Sequence, residues 1–266
     1  MTIQAIADIL EAWAPPNLAE HYDNAGLITG DPGAEVTGIL ICLDSTEAVV
    51  REAIDRGCNL VIAHHPIIFK GLKKLTGSNY VERTVIEAIR NKVAIYALHT
   101  NLDNTITGVN SKIGQLLSLV NVQILLPHPS TPLDGESIAG AGLVGNLPMP
   151  LPGMDFLRWA KEKLHLPLIR HTAIPEKQIS TVALCGGAGS FLIPAALQSG
   201  ADAFLTADLK YHEYFDAEGQ MLLLDVGHYE SERFTINLME EYLSTRVTGV
   251  TIYTTGLTTN PVHYFV

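Results

Sequence analysis

Two adjacent histidines, His64 and His65, follow a run of apolar residues and precede Pro66. The run at 60–63 lacks the alternation of a half-buried strand, so it predicts a strand buried on both faces, as in a parallel sheet. Ligands of open α/β sheets bind at the carboxyl ends of such strands. Because successive strand residues point to opposite sides, the two imidazoles suit two neighbouring metal ions better than a single ion.

Further candidate ligands follow other apolar strands. Asp103 comes after the predicted strand at 93–98, and His228 and Glu232 come after another apolar run. Their spacing of four would place His228 and Glu232 on one face of a helix, which we expect to run on to about Leu243. Three imidazoles and two carboxylates suit Fe, Mn, Zn, Co or Ni and exclude an all-oxygen calcium site. A hydroxide held between two such divalent ions would be a nucleophile at neutral pH.

Each of these residues also has a purely structural interpretation. An isolated His-His pair is not specific, and Asp103 could simply cap the helix that follows it. His228 and Glu232 could be a surface pair on a helix. Their joint placement after three apolar strands is what favours the metal site.

The pattern of the first half of the chain returns in the second half, which predicts two copies of one β-α-β-α-β unit. Chance similarity between generic βαβ units is the alternative. Helices between the strands favour right-handed crossovers and largely parallel sheets. We therefore expect an α/β fold of two similar domains, with the metal site in the cleft between them. The matched stretches are, at an offset of 143 positions, 38–42 with 181–185 and His64-His65 with Ala207-Asp208, and, at an offset of 129, 93–103 with 222–232.

Other polar residues near the candidate ligands are candidates for catalysis or anion binding. His99 follows the strand at 93–98 and is a candidate proton shuttle, a hydrogen-bond donor behind the ligands, or an ordinary buried histidine. Lys70 and Lys210 are candidate phosphate contacts, although a solvated basic loop would explain Lys70 equally well. We expect Asp208 and His212 to orient a substrate and move protons rather than bind metal.

Composition limits the remaining classes of function. The net charge of −11 over 266 residues argues against nucleic acid as a partner. Three widely spaced cysteines indicate neither a disulfide framework nor a zinc knuckle. No apolar stretch approaches the ~18 residues of a membrane span, and the amphipathic start is not a signal peptide, so we expect a cytoplasmic protein. The Pro- and Gly-rich stretch at 126–151 is the expected domain boundary, giving a first domain of 1–126 plus 225–266 and a second of 127–224.

An ordered set of motifs resembles the Nif-three-like family, whose members are labelled GTP cyclohydrolase 1 type 2 homologues or dinuclear metal-centre proteins. The resemblance spans nearly the whole chain and implies a bimetal site. It implies that Glu232 bridges two ions, one also bound by His64 and Asp103, the other by His65 and His228. The motifs are Asp23-Asn24-Ala25-Gly26-Leu27, Ala63-His64-His65-Pro66, His99-Thr100-Asn101-Leu102-Asp103, residues 206–212 and residues 225–232.

The same resemblance implies a ring-shaped homohexamer and the compact form of the family, because 126–151 is too short for the extra middle domain that many relatives carry. We therefore expect a metal-dependent hydrolase with two divalent ions per chain and a nucleotide or other phosphorylated small molecule as substrate. The family label points to ring opening of a purine nucleotide such as GTP. The alternative is a non-catalytic metal-binding ring that acts as a scaffold or regulatory binding protein.

Overall fold

The computed structural model describes residues 1–129 and 139–265, in which helices and strands alternate. The apolar runs of the sequence become the strands. These are, in chain order, β1 (Gly26–Thr29), β2 (Gly38–Asp44), β3 (Leu60–His65), β4 (Ala94–Ala97), β5 (Val120–Pro127), β6 (Gly140–Leu151), β7 (Arg170–His171), β8 (Ile179–Ala188), β9 (Ala203–Ala207), β10 (Leu222–Asp225) and β11 (Thr251–Thr254).

The helices connect these strands, and several begin at side-chain caps. Thr2, Thr46 and Asn79 each accept a hydrogen bond from the first turn of the following helix, which satisfies a backbone N–H that the helix itself leaves unpaired. The α-helices are α1 (Ile3–Trp13), α2 (Glu47–Asp55), α3 (Tyr80–Arg90), α4 (Thr100–Asp103), α5 (Val109–Leu116), α6 (Gly153–Lys163), α7 (Ile193–Gln198), α8 (His228–Glu232) and α9 (Thr235–Ser244), and the 3-10 helices are Pro16–Leu18, Ser190–Leu192 and Tyr211–Ala217.

The chain divides into two compact units. The first unit consists of Met1–Leu102 with Thr235–Pro261, and the second of Asp103–Phe234 with Val262–Val266. This division differs from the predicted boundary at residues 126 and 127, which falls at the end of β5. That strand pairs with β6 and therefore belongs to the sheet of the second unit. Residues 130–138 of the predicted boundary stretch lie outside the described residues.

The first unit is built on a five-stranded sheet of order β1-β4-β3-β2-β11. Its strands are parallel except β1, which runs antiparallel to β4 at the edge. All residues of β2 and β3 up to Leu43 and His64 are buried, which explains their uniformly apolar sequences. The prediction of a buried parallel strand before the histidines is therefore confirmed.

The second unit contains a six-stranded sheet of order β5-β6-β8-β9-β10-β7. Here only the central β8, β9 and β10 are parallel, and β5, β6 and β7 pair antiparallel. The expectation of largely parallel sheets thus holds for the first unit, whereas the second sheet is mixed. The sequence pattern predicts where strands and helices lie along the chain. The direction in which a strand enters a sheet, however, depends on pairing partners that are distant in sequence.

Strand register tests the predicted internal repeat, and it supports the offset of 143 for the first two strands. The third strands of the two units correspond at an offset of 128, one residue less than the alignment by sequence. Thr100 and His228 therefore begin equivalent helices, and the predicted match of His99 with His228 is one residue out. The pairs are Ile39↔Leu60 with Val182↔Ala203, and Leu60↔Ala94 with Ala203↔Leu222.

The end of the second copy also differs from the sequence-based expectation. The sequence predicts a single helix from near Glu232 to about Leu243. The structure instead has two helices, α8 and α9, and Glu232 is the last residue of α8. His228 and Glu232 still lie four residues apart within one helix, as predicted. Among residues 1–129 and 139–265, no helix is long and apolar enough to cross a membrane.

Candidate metal centre

The histidine pair lies at the end of β3 in the first unit, inside the strand rather than after it. His64 is fully buried and His65 is partly exposed. The centroids of the two rings are only 4.9 Å apart, so the imidazoles converge instead of pointing to opposite sides as strand alternation predicts. The reason is that each ring is turned by its own hydrogen-bond acceptor.

One acceptor directly follows β4 and the other is the last residue of β2. Nδ1 of His64 lies 2.7 Å from the Leu98 carbonyl oxygen, and Nδ1 of His65 lies 2.7 Å from Oδ1 of Asp44. Because a carbonyl or carboxylate oxygen can only accept, each Nδ1 carries the hydrogen, which leaves Nε2 of each ring as the atom available to bind a metal. Asp44 is held in turn by Thr259, whose hydroxyl donates to Oδ2 over 2.5 Å.

Sequence reasoning did not single out Asp44, although it follows an apolar strand just as the histidines do. The strand register shows why it matters, since Asp44 pairs directly with His65 in the ladder of β2 and β3. Polar residues at the carboxyl end of a neighbouring parallel strand are the signal that could have identified it.

His99 lies beside the pair in the first unit. Its ring centroid is 5.5 Å from that of His64 and 5.5 Å from that of His65, both edge-on. Nδ1 of His99 donates over 2.6 Å to Oδ1 of Asp23, whose side chain is completely buried. Burial alone would raise the pKa of Asp23, but the hydrogen bonds from His99 and Thr100 outweigh it and hold that pKa at about 2.

In the second unit, the ligand candidates His228 and Glu232 are the first and last residues of α8. Nε2 of His228 lies 3.0 Å from Oε2 of Glu232, as the spacing of four predicts. Nδ1 of His228 lies 2.8 Å from Oδ2 of Asp208. Burial lowers the pKa of His228, but the two carboxylates outweigh that effect and raise it to about 11. The same two contacts that favour a proton on this ring would favour a metal cation in its place.

Asp103 and Glu232 both lie close to the buried thiol of Cys185. Burial raises the pKa of Cys185, and the negative charges of these two carboxylates raise it further. The second unit thus contains three of the predicted ligands, the carboxylates of Asp103 and Glu232 and the imidazole of His228.

Gly187 gives Glu232 the room that its carboxylate needs. The glycine has φ of +62°, and a Cβ at this position would lie 2.2 Å from Oε1 of Glu232 and 3.2 Å from Cε1 of His228. Its N–H donates to Oγ of Ser231 within α8. The backbone of β8 thus passes directly against His228 and Glu232, and a side chain at this position would displace the Glu232 carboxylate.

The remaining predicted residues are more peripheral. Lys70 lies in an exposed loop after the histidines. Lys210 is highly exposed, with its Nζ 3.7 Å from Oε1 of Glu213. His212 is exposed and makes ring contacts with Tyr211 and Phe215, at centroid distances of 5.1 and 6.3 Å. Of the residues expected to orient a substrate, Asp208 alone has a hydrogen bond to a candidate ligand among the residues that the structure describes.

The fold and these side chains define a mixed α/β protein with candidate metal-ligating side chains, His64 and His65 in the first unit and Glu232 in the second, each offering one ligand atom. The chain belongs to the family Duf34/NIF3 (NGG1p interacting factor 3), which matches residues 1–261. The resemblance to the Nif-three-like family inferred from the sequence motifs is therefore confirmed.

Individual relatives match over nearly their whole length. A protein of Lactococcus lactis subsp. lactis is 36% identical over 256 residues, 94% of this chain and 95% of that protein. A protein of Clostridium acetobutylicum is 31% identical over 244 residues, 91% of this chain and 90% of that protein. Both are named GTP cyclohydrolase 1 type 2 homolog. This matching extent agrees with the compact form of the family.

Solved structures share the fold. The crystal structure of a Staphylococcus aureus protein covers 100% of this chain and 99% of its own chain, with a TM-score of 0.89 and 28% identity. The α/β class with two sheets, predicted from the alternation of strands and helices, is therefore confirmed.

Proposed function

We propose that this protein is a metal-dependent hydrolase that holds two divalent ions with His64, His65, Asp103, His228 and Glu232. The observation that carries the proposal is the orientation of the histidine pair, in which both Nδ1 atoms are bound to oxygen acceptors 2.7 Å away. Histidines that ligate metals have this second hydrogen bond almost always, because it fixes the tautomer and the ring.

The donor set fits such ions. Three imidazole nitrogens and two carboxylates suit Fe, Mn, Zn, Co or Ni, and the close approach of Gly187 to Glu232 fixes one of the carboxylates. By the family resemblance, Glu232 would bridge the ions, with His64 and Asp103 on one side and His65 and His228 on the other. The burial of His64 and Glu232 supports an enclosed site in which charge must be compensated.

Divalent ions, when bound, would activate water as a nucleophile at neutral pH and stabilise developing negative charge. The protein supplies the proton chemistry. We propose that His99 transfers protons at this site and that Asp208 orients His228 through their 2.8 Å hydrogen bond. His212 is proposed to contact the substrate from its exposed 3-10 helix.

The proposed substrate is a purine nucleotide such as GTP, because the relatives are named for that activity. In the ring opening, the oxygen of water bonds to the carbon between the two nitrogens of the five-membered ring. The nitrogen that stays bonded to this carbon takes one proton of the water, the bond from the carbon to the other nitrogen breaks, and that leaving nitrogen takes the second proton, so the carbon ends as a formamide carbonyl. Lys70 and Lys210 are proposed to bind the phosphates, since both are exposed cations that need little rearrangement to reach an anion.

The proposed assembly is a ring-shaped homohexamer in the cytoplasm. Exposed aromatic residues support a self-interface, because Tyr211 and Phe215 are 74% and 65% exposed and lie in one cluster. The same feature supports the second candidate function, a metal-binding ring that acts as a scaffold or regulatory binding protein.

The decisive experiment combines metal analysis with turnover. Protein purified without an affinity tag would be loaded with each of the five metals and incubated with a panel of nucleotides. We expect hydrolysis by the loaded protein and its loss on chelation, while the mass in solution stays that of the assembly. Metal binding without turnover of any nucleotide would favour the scaffold, and absence of metal binding would contradict both functions.

A further inference from the structure

Asp23 stands out because its buried carboxylate is aimed at a histidine outside the proposed ligand set. Its side chain is 0% exposed, and it lies 76 residues before His99 in the sequence. Oδ1 accepts from Nδ1 of His99, while Oδ2 accepts from the backbone N–H of Thr100 over 3.0 Å and from its hydroxyl over 2.5 Å. Oδ1 also accepts from the backbone N–H of Asn24 over 2.7 Å, so four donors determine the position of this one carboxylate.

The arrangement determines which nitrogen of His99 carries the hydrogen. A carboxylate that already accepts two hydrogen bonds from Thr100 presents only an acceptor to the imidazole. Nδ1 of His99 is therefore protonated and Nε2 carries the lone pair. Within residues 1–129 and 139–265, Nε2 of His99 has no hydrogen-bond partner, and the ring is 16% exposed.

The His99 ring lies beside two of the proposed metal ligands, a position suited to a group that accepts a proton during catalysis. His99 lies edge-on to His64 and His65 at centroid distances of 5.5 Å, and its Nδ1 is turned toward Asp23. The segment that carries Asp23 makes a further hydrogen bond to the first residue of α4, from the N–H of Glu20 to the hydroxyl of Thr100. This bond holds the Thr100 hydroxyl that donates to Asp23.

We propose that Asp23 is a positioning residue that holds His99 in the Nδ1–H tautomer, so that Nε2 takes the proton of the attacking water and returns it to the leaving atom. This inference rests on the proposed hydrolase function. As the water oxygen bonds to the substrate carbon, one water proton passes to Nε2, and as the carbon–nitrogen bond breaks, that proton passes from Nε2 to the leaving nitrogen. The second water proton ends on the nitrogen that stays bonded to the carbon. The imidazole ends the cycle in its starting tautomer.

The test replaces Asp23 by Asn, which keeps the size of the side chain. The amide oxygen can still accept from Thr100, and the amide nitrogen then faces Nδ1 of His99 as a donor. We expect the tautomer of His99 to change to Nε2–H, and turnover to fall by about 100-fold or more through kcat, with KM and metal content close to wild type. Asp8→Asn, an exposed change on α1, is the matched control and should alter none of these quantities.

The tautomer is measured by nitrogen NMR of zinc-loaded protein labelled on histidine, with the spectrum of His99→Gln identifying the His99 signals. This reading does not need turnover. An Nδ1–H tautomer in wild type that changes in Asp23→Asn supports the positioning of His99 by Asp23, and an unchanged tautomer overturns it. If wild type hydrolyses nothing, the hydrolase function fails, while the nitrogen shifts still decide what Asp23 does.

Two further outcomes separate positioning from a structural role. Loss of metal together with turnover in Asp23→Asn would overturn the inference, because it would make the residue a support of the metal site. If Asp23→Asn does not fold, His99→Gln takes its place: retained metal with lost turnover supports the proton-transfer role, and unchanged turnover refutes it.

Discussion

Oδ2 of Asp208 lies 2.8 Å from Nδ1 of His228, so a residue at the end of β9 orients the first residue of α8. Asp208 has φ of +56°, a left-handed backbone that is unfavourable for residues other than glycine. The hydrogen bond to His228 lowers the pKa of Asp208 and partly explains why this conformation is maintained. The relationship recurs at Asp44 and His65 in the first unit, where a carboxylate also holds a candidate ligand by Nδ1.

The first prediction concerns this carboxylate–histidine pair. Asp208→Ala should lower the metal affinity of the site that contains His228 by about 10- to 100-fold, because the ring loses its orientation and part of its basicity. His212→Ala is the control for metal content, since His212 contacts other aromatic rings. Titration of the apo protein with zinc measures both. Equal zinc affinity in wild type and Asp208→Ala would contradict the role given to Asp208.

The second prediction concerns stoichiometry. Fully loaded protein should hold two ions per chain, and His65→Ala should lose one of them because its imidazole is expected to serve a single ion. Elemental analysis under saturating metal gives the number directly. At most one ion per chain in wild type would refute the dinuclear site.

The third prediction separates a bridging ligand from a terminal one. Glu232→Gln removes a charge and one strong donor oxygen, so both ions should be lost or weakened if Glu232 bridges them. Asp103→Asn should weaken chiefly one. Metal content after dialysis is the measurement, and similar single-ion losses in both variants would argue against the bridge.

The fourth prediction tests the close approach at Gly187. Gly187→Ala should lower both stability and metal affinity, since its Cβ would lie 2.2 Å from Oε1 of Glu232. Gly200→Ala is the matched control, because Gly200 also has positive φ, +73°, but a Cβ there meets nothing within 4 Å. Both variants should lose about 1–2 kcal/mol of unfolding free energy from the left-handed backbone, and only Gly187→Ala should lose metal. Metal binding that is weakened equally by the two changes would rule out the steric explanation.

The fifth prediction concerns pH. Backbone hydrogen bonds from Thr76 and Ser78, together with their hydroxyls, lower the pKa of Glu82 from 4.5 to about 2. A lowered pKa in the folded state stabilises the protein above pH 4.5, and this stabilisation is lost as the pH falls from 4.5 toward 2. Glu82→Gln should therefore flatten the acid dependence of the unfolding free energy in this range. Glu87→Gln, on the same helix, is the control, and an identical acid dependence in wild type and Glu82→Gln would refute the assignment.

The sequence alone determined the buried central strands and the order of the polar residues that follow them. Uninterrupted apolar runs led to β2, β3, β9 and β10, because a strand covered on both faces cannot alternate. The spacing of His228 and Glu232 predicted their shared helix, since four residues make about one helical turn. These inferences succeeded because they depend on periodicities within short segments.

Tertiary structure decided what supports each side chain. Asp44 orients His65 from another strand, and Asp23 reaches His99 across 76 residues, so neither relationship is encoded in local spacing. Edge strands such as β5 and β7 and their antiparallel directions were likewise invisible to periodicity. Hydrogen bonds between distant residues depend on register and chain direction, and these are set only when the strands assemble into sheets.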